Sequence, residues 1–196
     1  AELRDLLCRA AGLAWLLVMG FFIGASFFGP TLLATWVHKV YPQRHTILLV
    51  LLAGQLVGTP MKVVTSVLFG MGDVRRPSLF YVMEALANFA LSLSLVYGVG
   101  VIGVALGTVL PLYLVELGLL LPYAMKRLEI APRRLLTDVA GPQLTPLVAL
   151  LGYSYLVWSR VPLVPGWGNM IAIAAGGGLV LGATWFVQQK MVSWLN

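Results

Sequence analysis

The stretch TILLVLLAGQLVGTPMKVVTSVLFG, residues 46–70, is apolar over a bilayer-crossing length yet carries Lys62 in its second half. At about 1.5 Å per residue, a helix of this length spans the roughly 30 Å hydrocarbon core. Gln55, Thr59, Lys62 and Ser66 follow one another at offsets of four, three and four, so they share one helical face. A charge left in hydrocarbon costs about 3 kcal/mol or more, so the stripe is expected to face protein or water. Intramembrane cations of this kind mark substrate or ion pathways, which makes transport the first function to consider.

The rest of the chain follows the same pattern. It has 196 residues, 60% hydrophobic and 10% charged, a balance outside the soluble globular range. Apolar stretches at 13–37, 46–70, 78–97, 101–124, 143–158 and 168–188 predict an all-α, polytopic integral membrane protein with a bundle of six transmembrane helices. Residues 2–11, with Leu3, Leu6 and Leu7 on one side, read as an interfacial helix leading into the first span. The polar stretch 126–141 reads as an amphipathic cytoplasmic loop, since Leu128, Ile130, Leu135, Leu136 and Val139 interleave with its charges. Cys8 is the one cysteine, which excludes an intrachain disulfide.

Charge is distributed by loop. With six spans, Arg4, Arg9, Arg75, Arg76, Lys126, Arg127, Arg133, Arg134 and Lys190 fall on one side, against Lys39, Arg44 and Arg160 on the other. The positive-inside rule then places both termini in the cytoplasm. Trp36, Tyr41, Tyr97, Trp158 and Trp167 are expected at the outer interface, and Trp15, Tyr123 and Trp194 at the inner one. Arg75, Arg76, Arg133 and Arg134 are the expected lipid-facing basic residues, with membrane lipid as partner and no nucleic acid.

Inside the spans, Glu84 and Glu116 are the ionisable companions of Lys62. Counted from the helix ends, all three lie at comparable depth. Glu84 opens a second stripe with Asn88 and Ser92, spaced by four. If this stripe opposes that of Lys62, two helices share a polar seam. A Lys62–Glu84 ion pair would fix helix register, and Glu84 alone could snorkel to nearby headgroups. In a water-filled cavity, Lys62 would bind an anionic group and a Glu would take up and release a proton. Pro30, Pro60, Pro111 and Pro146 each favour a kink. Gly20/Gly24, Gly54/Gly58, Gly103/Gly107 and Gly178/Gly182 have spacings that permit close helix approach. No motif for a catalytic nucleophile, metal or cofactor is present; His38 and His45 read as loop residues near the headgroups. The chain is therefore not expected to be an enzyme.

Residues 69–108, FGMGDVRRPSLFYVMEALANFALSLSLVYGVGVIGVALGT, resemble the C-terminal region of polysaccharide exporters and oligosaccharide flippases. The resemblance is carried by Gly70, Gly72, Asp73 and Arg75 in the turn, by Glu84 and Asn88, and by the glycine-rich stretch 100–108. It implies one lobe, the C-terminal one, of a two-lobe transporter of the multidrug/oligosaccharidyl-lipid/polysaccharide exporter superfamily. The implied setting is a cell inner membrane, and the implied substrate a lipid-linked oligosaccharide for surface polysaccharide biosynthesis. The implied partner is an N-terminal lobe or a second copy. A cation-coupled multidrug or metabolite exporter is the alternative, followed by a non-transporting membrane scaffold. The candidate substrate-pathway residues, read from the polar stripes and the intramembrane charges, are Lys62, Gln55, Thr59, Ser66, Glu84, Asn88 and Glu116; in the exporter reading Glu84 or Glu116 would titrate.

Overall fold

The computed structural model describes residues 2–37, 43–131, 133 and 136–195, and among these it is helical with no strand. His38, Lys39, Tyr41, Arg134 and Leu135 lie outside the described residues, as do the side chains of Leu136 and Trp194. In chain order the helices are α1 (Glu2–Trp36), α2 (Arg44–Gly70), α3 (Arg75–Val99), α4 (Val101–Leu128), α5 (Leu144–Arg160) and α6 (Trp167–Leu195). Among the described residues, five are long and apolar enough to cross a membrane: α1, α2, α3, α4, and α6 over Trp167–Gln188. The expected sixth span at 143–158 forms α5, whose 17 residues reach only about 26 Å. The protein is thus an all-α, multi-pass membrane protein with five helices of spanning length.

Three local expectations change. Residues 2–11 are not a separate interfacial helix but the first turns of the continuous α1; Leu7, Cys8 and Ala11 are buried while Leu3 and Leu6 are exposed. The burial of Leu7 and Cys8 comes from the ends of α2 and α4, whose Met61, Val64, Leu68, Leu120, Ala124 and Leu128 close one core around them. The segment after α4 is not simply a surface element either. Ile130 and Gln143 are buried, and Gly12 of α1 lies where a side chain would strike Val139 and Gln143. Pro146 sits in the first turn of α5, where proline is well tolerated, rather than in the helix interior.

Helix α1 is shared between two packing groups. Its first half joins the core just described, and Leu16 and Ile23 join Leu147 and Leu150 of α5 in a second core. Trp15, Met19, Phe27, Tyr153, Leu181 and Trp185 pack around that second cluster. Where α1 contains Pro30, His45 from the first turn of α2 donates from Nε2 to the Ala25 carbonyl at 2.9 Å and packs on Gly29. His45 is therefore half-buried helix packing rather than a loop residue.

The turns are tight for identifiable reasons. Helix α2 ends in a Schellman motif: Gly72, at φ 80°, donates to Phe69 O at 2.9 Å, and Asp73 donates to Leu68 O at 3.0 Å. Only Gly100, at φ 70° and ψ −148°, separates α3 from α4, a backbone region open essentially to glycine. The two helices then run against each other without space for side chains. A Cβ on Gly107 would lie 2.5 Å from the Ser92 backbone nitrogen, and one on Gly103 would strike the Leu95 carbonyl. On the other side of α4, Gly54 and Gly58 of α2 receive Val109 and Leu112, and the Tyr113 hydroxyl donates to Ala53 O at 2.6 Å. The small-residue spacings at 54/58 and 103/107 thus set how closely α2 and α3 flank α4.

Gly178 and Gly182 face open space, as does Gly24. Gly107→Ala is therefore expected to lower stability by about 1–3 kcal/mol, because backbone must move to admit the methyl group. Gly178→Ala should be neutral or slightly stabilising. Thermal unfolding of the two variants in mild detergent checks this contrast.

Candidate functional site on α2, α3 and α4

Buried residues of α4 include Leu112, Glu116, Leu120, Ala124 and Leu128, a row spaced by four along the core side. One member is a carboxylic acid. Glu116 is 2% exposed, and its Oε2 is buried without a hydrogen-bond partner among the described residues. It opens a π-helical turn, Glu116–Leu120, in which Leu121 N–H reaches back to Glu116 O. Such turns insert a residue into the α register and recur at functional sites. A carboxylate at a core position costs several kcal/mol in desolvation, so its presence calls for compensation or a role.

The neighbours come from the flanking helices. Lys62 on α2 and Glu84 on α3 both interact electrostatically with Glu116 and with each other. The expected depth match is met: the fold brings all three ionisable groups together. They remain apart as contacts, since no ion pair within 4.0 Å closes among them. Lys62 is exposed and Glu84 half-buried, with Glu84 Oε2 also unpartnered among the described residues. The register-fixing ion pair therefore does not form.

The two polar stripes do not meet along their length. On α2, Thr59 donates to Gln55 Oε1 at 3.3 Å and Ser66 donates to the Lys62 carbonyl at 2.8 Å, so each bond stays within its own helix. On α3, Ser92 donates to Asn88 Oδ1 at 3.0 Å and rests against Gly107, which turns that end of the stripe towards α4. Only the Glu84 end reaches Lys62. The bridge between α2 and α3 is a pair that inspection of the sequence missed: Tyr81 and Thr65, with oxygens 2.8 Å apart. Thr65 donates its own proton to Met61 O at 3.0 Å, which leaves Tyr81 O–H as donor to Thr65. The signal was available, since Thr65 lies three residues after Lys62 and Tyr81 three before Glu84, on the same helical faces.

A second polar group ties the helix ends together. Asp73, in the turn after α2, accepts from the Tyr123 hydroxyl and from Arg127 Nε at 3.2 Å. Phe80 packs edge-on against Tyr123 at 5.8 Å, and the Arg76 guanidinium lies over the same ring at 5.4 Å. The Gly-x-Gly-Asp turn thus has a structural role: it stops α2 and ties the end of α4 to the start of α3. Arg75, Arg76 and Arg133 are exposed, while Arg134 lies outside the described residues. Trp36, Tyr97, Trp158 and Trp167 are all exposed at the opposite end of the helices, where an aromatic belt would lie.

No family model, curated protein or solved structure matches the chain. What the site can do rests on its own geometry: two carboxyl groups and one amine, held in mutual electrostatic range but without direct contact.

Two variants test how much of this is architecture. Glu116→Met fills the same core position without a charge and should leave the protein at least as stable as the wild type, by up to about 1–4 kcal/mol. Asp73→Asn should instead cost about 1–2 kcal/mol, because it weakens the charged acceptor shared by Tyr123 and Arg127. Equilibrium unfolding in mixed micelles reads both.

Proposed function

We propose that the chain is one lobe of a membrane transporter, with Lys62, Glu84 and Glu116 on its substrate and ion path. The observation that carries this reading is Glu116, an unpartnered carboxyl in an otherwise apolar core row, opposite Lys62 and Glu84. A side chain this costly to bury is retained where it exchanges partners during a cycle. The substrate class follows from the resemblance of residues 69–108: a lipid-linked oligosaccharide moved across an inner membrane for surface polysaccharide synthesis. Lys62, exposed on its helix, would meet the diphosphate linkage, and Gln55, Thr59 and Ser66 would line the approach.

In this reading α5 completes a six-helix lobe, both termini are cytoplasmic, and the exposed face of α2 and α3 meets a second lobe or a second copy. Binding of the substrate anion to Lys62 would release the ammonium from the field of the two carboxylates. Those carboxylates are then available to a proton or metal cation, which couples the two events electrostatically. A second reading is favoured by the same pair of acids: export of a drug or metabolite driven by a cation gradient, with Glu84 and Glu116 as the coupling groups.

Both readings require the cluster, and they differ in cargo. In membranes containing the complete transporter, Lys62→Ala and Glu116→Gln should each reduce transbilayer movement of an undecaprenyl-diphosphate-linked oligosaccharide by about tenfold or more, a barrier change of about 1.4 kcal/mol. Protein abundance should stay within about twofold of the wild type. Loss of gradient-driven dye efflux with oligosaccharide movement intact would favour the exporter. Unchanged movement of both cargos would remove the cluster from transport.

A further inference from the structure

At the membrane end where α2 stops, α3 starts and α4 stops, an open groove of about 490 Å³ is lined by Asp73, Arg76, Tyr123, Lys126, Arg127 and Glu129. Its acidic members are already engaged. Asp73 holds Tyr123 and Arg127, and Glu129 accepts from Arg4 at 2.6 Å. Its cations are not matched in the same way: among the described residues neither Arg76 nor Lys126 closes an ion pair. Arg127 spends its Nε on Asp73, which fixes the guanidinium and leaves its other nitrogens for an outside acceptor. Arg76 is steadied over the Tyr123 ring.

We propose that this groove binds the phosphate of an anionic phospholipid headgroup. Three cations converge on one opening, two of them oriented by neighbours, and planar guanidinium forks match phosphate oxygens. The groove lies at the ends of three helices of spanning length, the depth at which headgroups sit. It is distinct from the Lys62 cluster, and its occupancy does not depend on what the protein transports. A lipid seated there would hold the start of α3 and the end of α4 together by bridging Arg76 to Lys126 and Arg127.

The test is native mass spectrometry of the purified full chain in a neutral detergent, titrated with cardiolipin, phosphatidylcholine or sodium pyrophosphate. Cardiolipin should bind at least about tenfold more tightly than phosphatidylcholine, since each cation near the headgroup adds to the attraction. The double variant Arg76→Gln/Lys126→Gln should lose about tenfold in cardiolipin affinity, whereas Arg9→Gln, exposed but outside the groove, should stay within about twofold. Both altered groove side chains are exposed, and an unchanged unfolding temperature verifies that the variant is folded. Arg76→Lys, which keeps the charge but loses the guanidinium fork and its stacking on Tyr123, should bind more weakly than the wild type and more tightly than the double variant. Wild-type affinity in the folded double variant would overturn the proposal, as would equal retention of phosphatidylcholine. Pyrophosphate binding as tightly as cardiolipin would assign the groove to a soluble phosphate and overturn the lipid source.

Discussion

Placing one carboxyl group, Glu116, in the apolar packing row of α4 constrains the helices on both sides. The group is 2% exposed and sits where its row neighbours are Leu112 and Leu120. The charged groups that act on it, Lys62 and Glu84, come from α2 and α3, and both helices are brought in by glycine. Gly54 and Gly58 admit Val109 and Leu112, while Gly103 and Gly107 lie directly against Leu95 and Ser92. Larger residues at those positions would push the flanking helices outwards and separate Lys62 and Glu84 from Glu116. Close backbone approach and charge placement are therefore one design feature, since membrane helices associate through packing rather than through exclusion of water.

The same trio is anchored from its ends. At one end the Asp73 turn ties the start of α3 to Tyr123 and Arg127 of α4. At the other, the single residue Gly100 forces α3 and α4 into an antiparallel pair. Helix α1 joins this unit to α5 and α6, burying Leu7 and Cys8 against one group and Leu16 and Ile23 against the other. By contrast, α3 buries only Pro77 among its residues, and Leu86, Phe89 and Tyr97 stand 66%, 70% and 84% exposed. A helix that bears part of the charged cluster and is so little covered presents its apolar side chains to whatever surrounds the bundle.

Much of this was legible in residue spacing. The offsets of Gln55, Thr59, Lys62 and Ser66 identified one face of α2, and counting from helix ends placed Glu84 and Glu116 at the depth of Lys62. Spacing on one helix does not, however, determine which way that helix is turned. Asn88 and Ser92 therefore face α4 instead of the α2 stripe, and the helix bridge falls to Tyr81 and Thr65. The opening residues 2–11 read as interfacial because Leu3, Leu6 and Leu7 fall on one side, whereas burial is decided by Met61, Val64 and Ala124, distant in sequence. The shortness of α5 was visible in the fifth apolar stretch, but the π turn at Glu116 was not, since its i to i+5 bond leaves no mark in composition.

The central claim is that the Gln55 to Ser66 stripe and its carboxylate neighbours border a water-filled path rather than lipid. Single cysteines placed at Gln55, Thr59, Lys62 and Ser66, with Leu86 and Phe89 as lipid-facing controls, can be probed in intact vesicles with a membrane-impermeant charged thiol reagent. The account predicts modification at the four stripe positions and silence at Leu86 and Phe89. Silence along the stripe with the protein folded and inserted would contradict it.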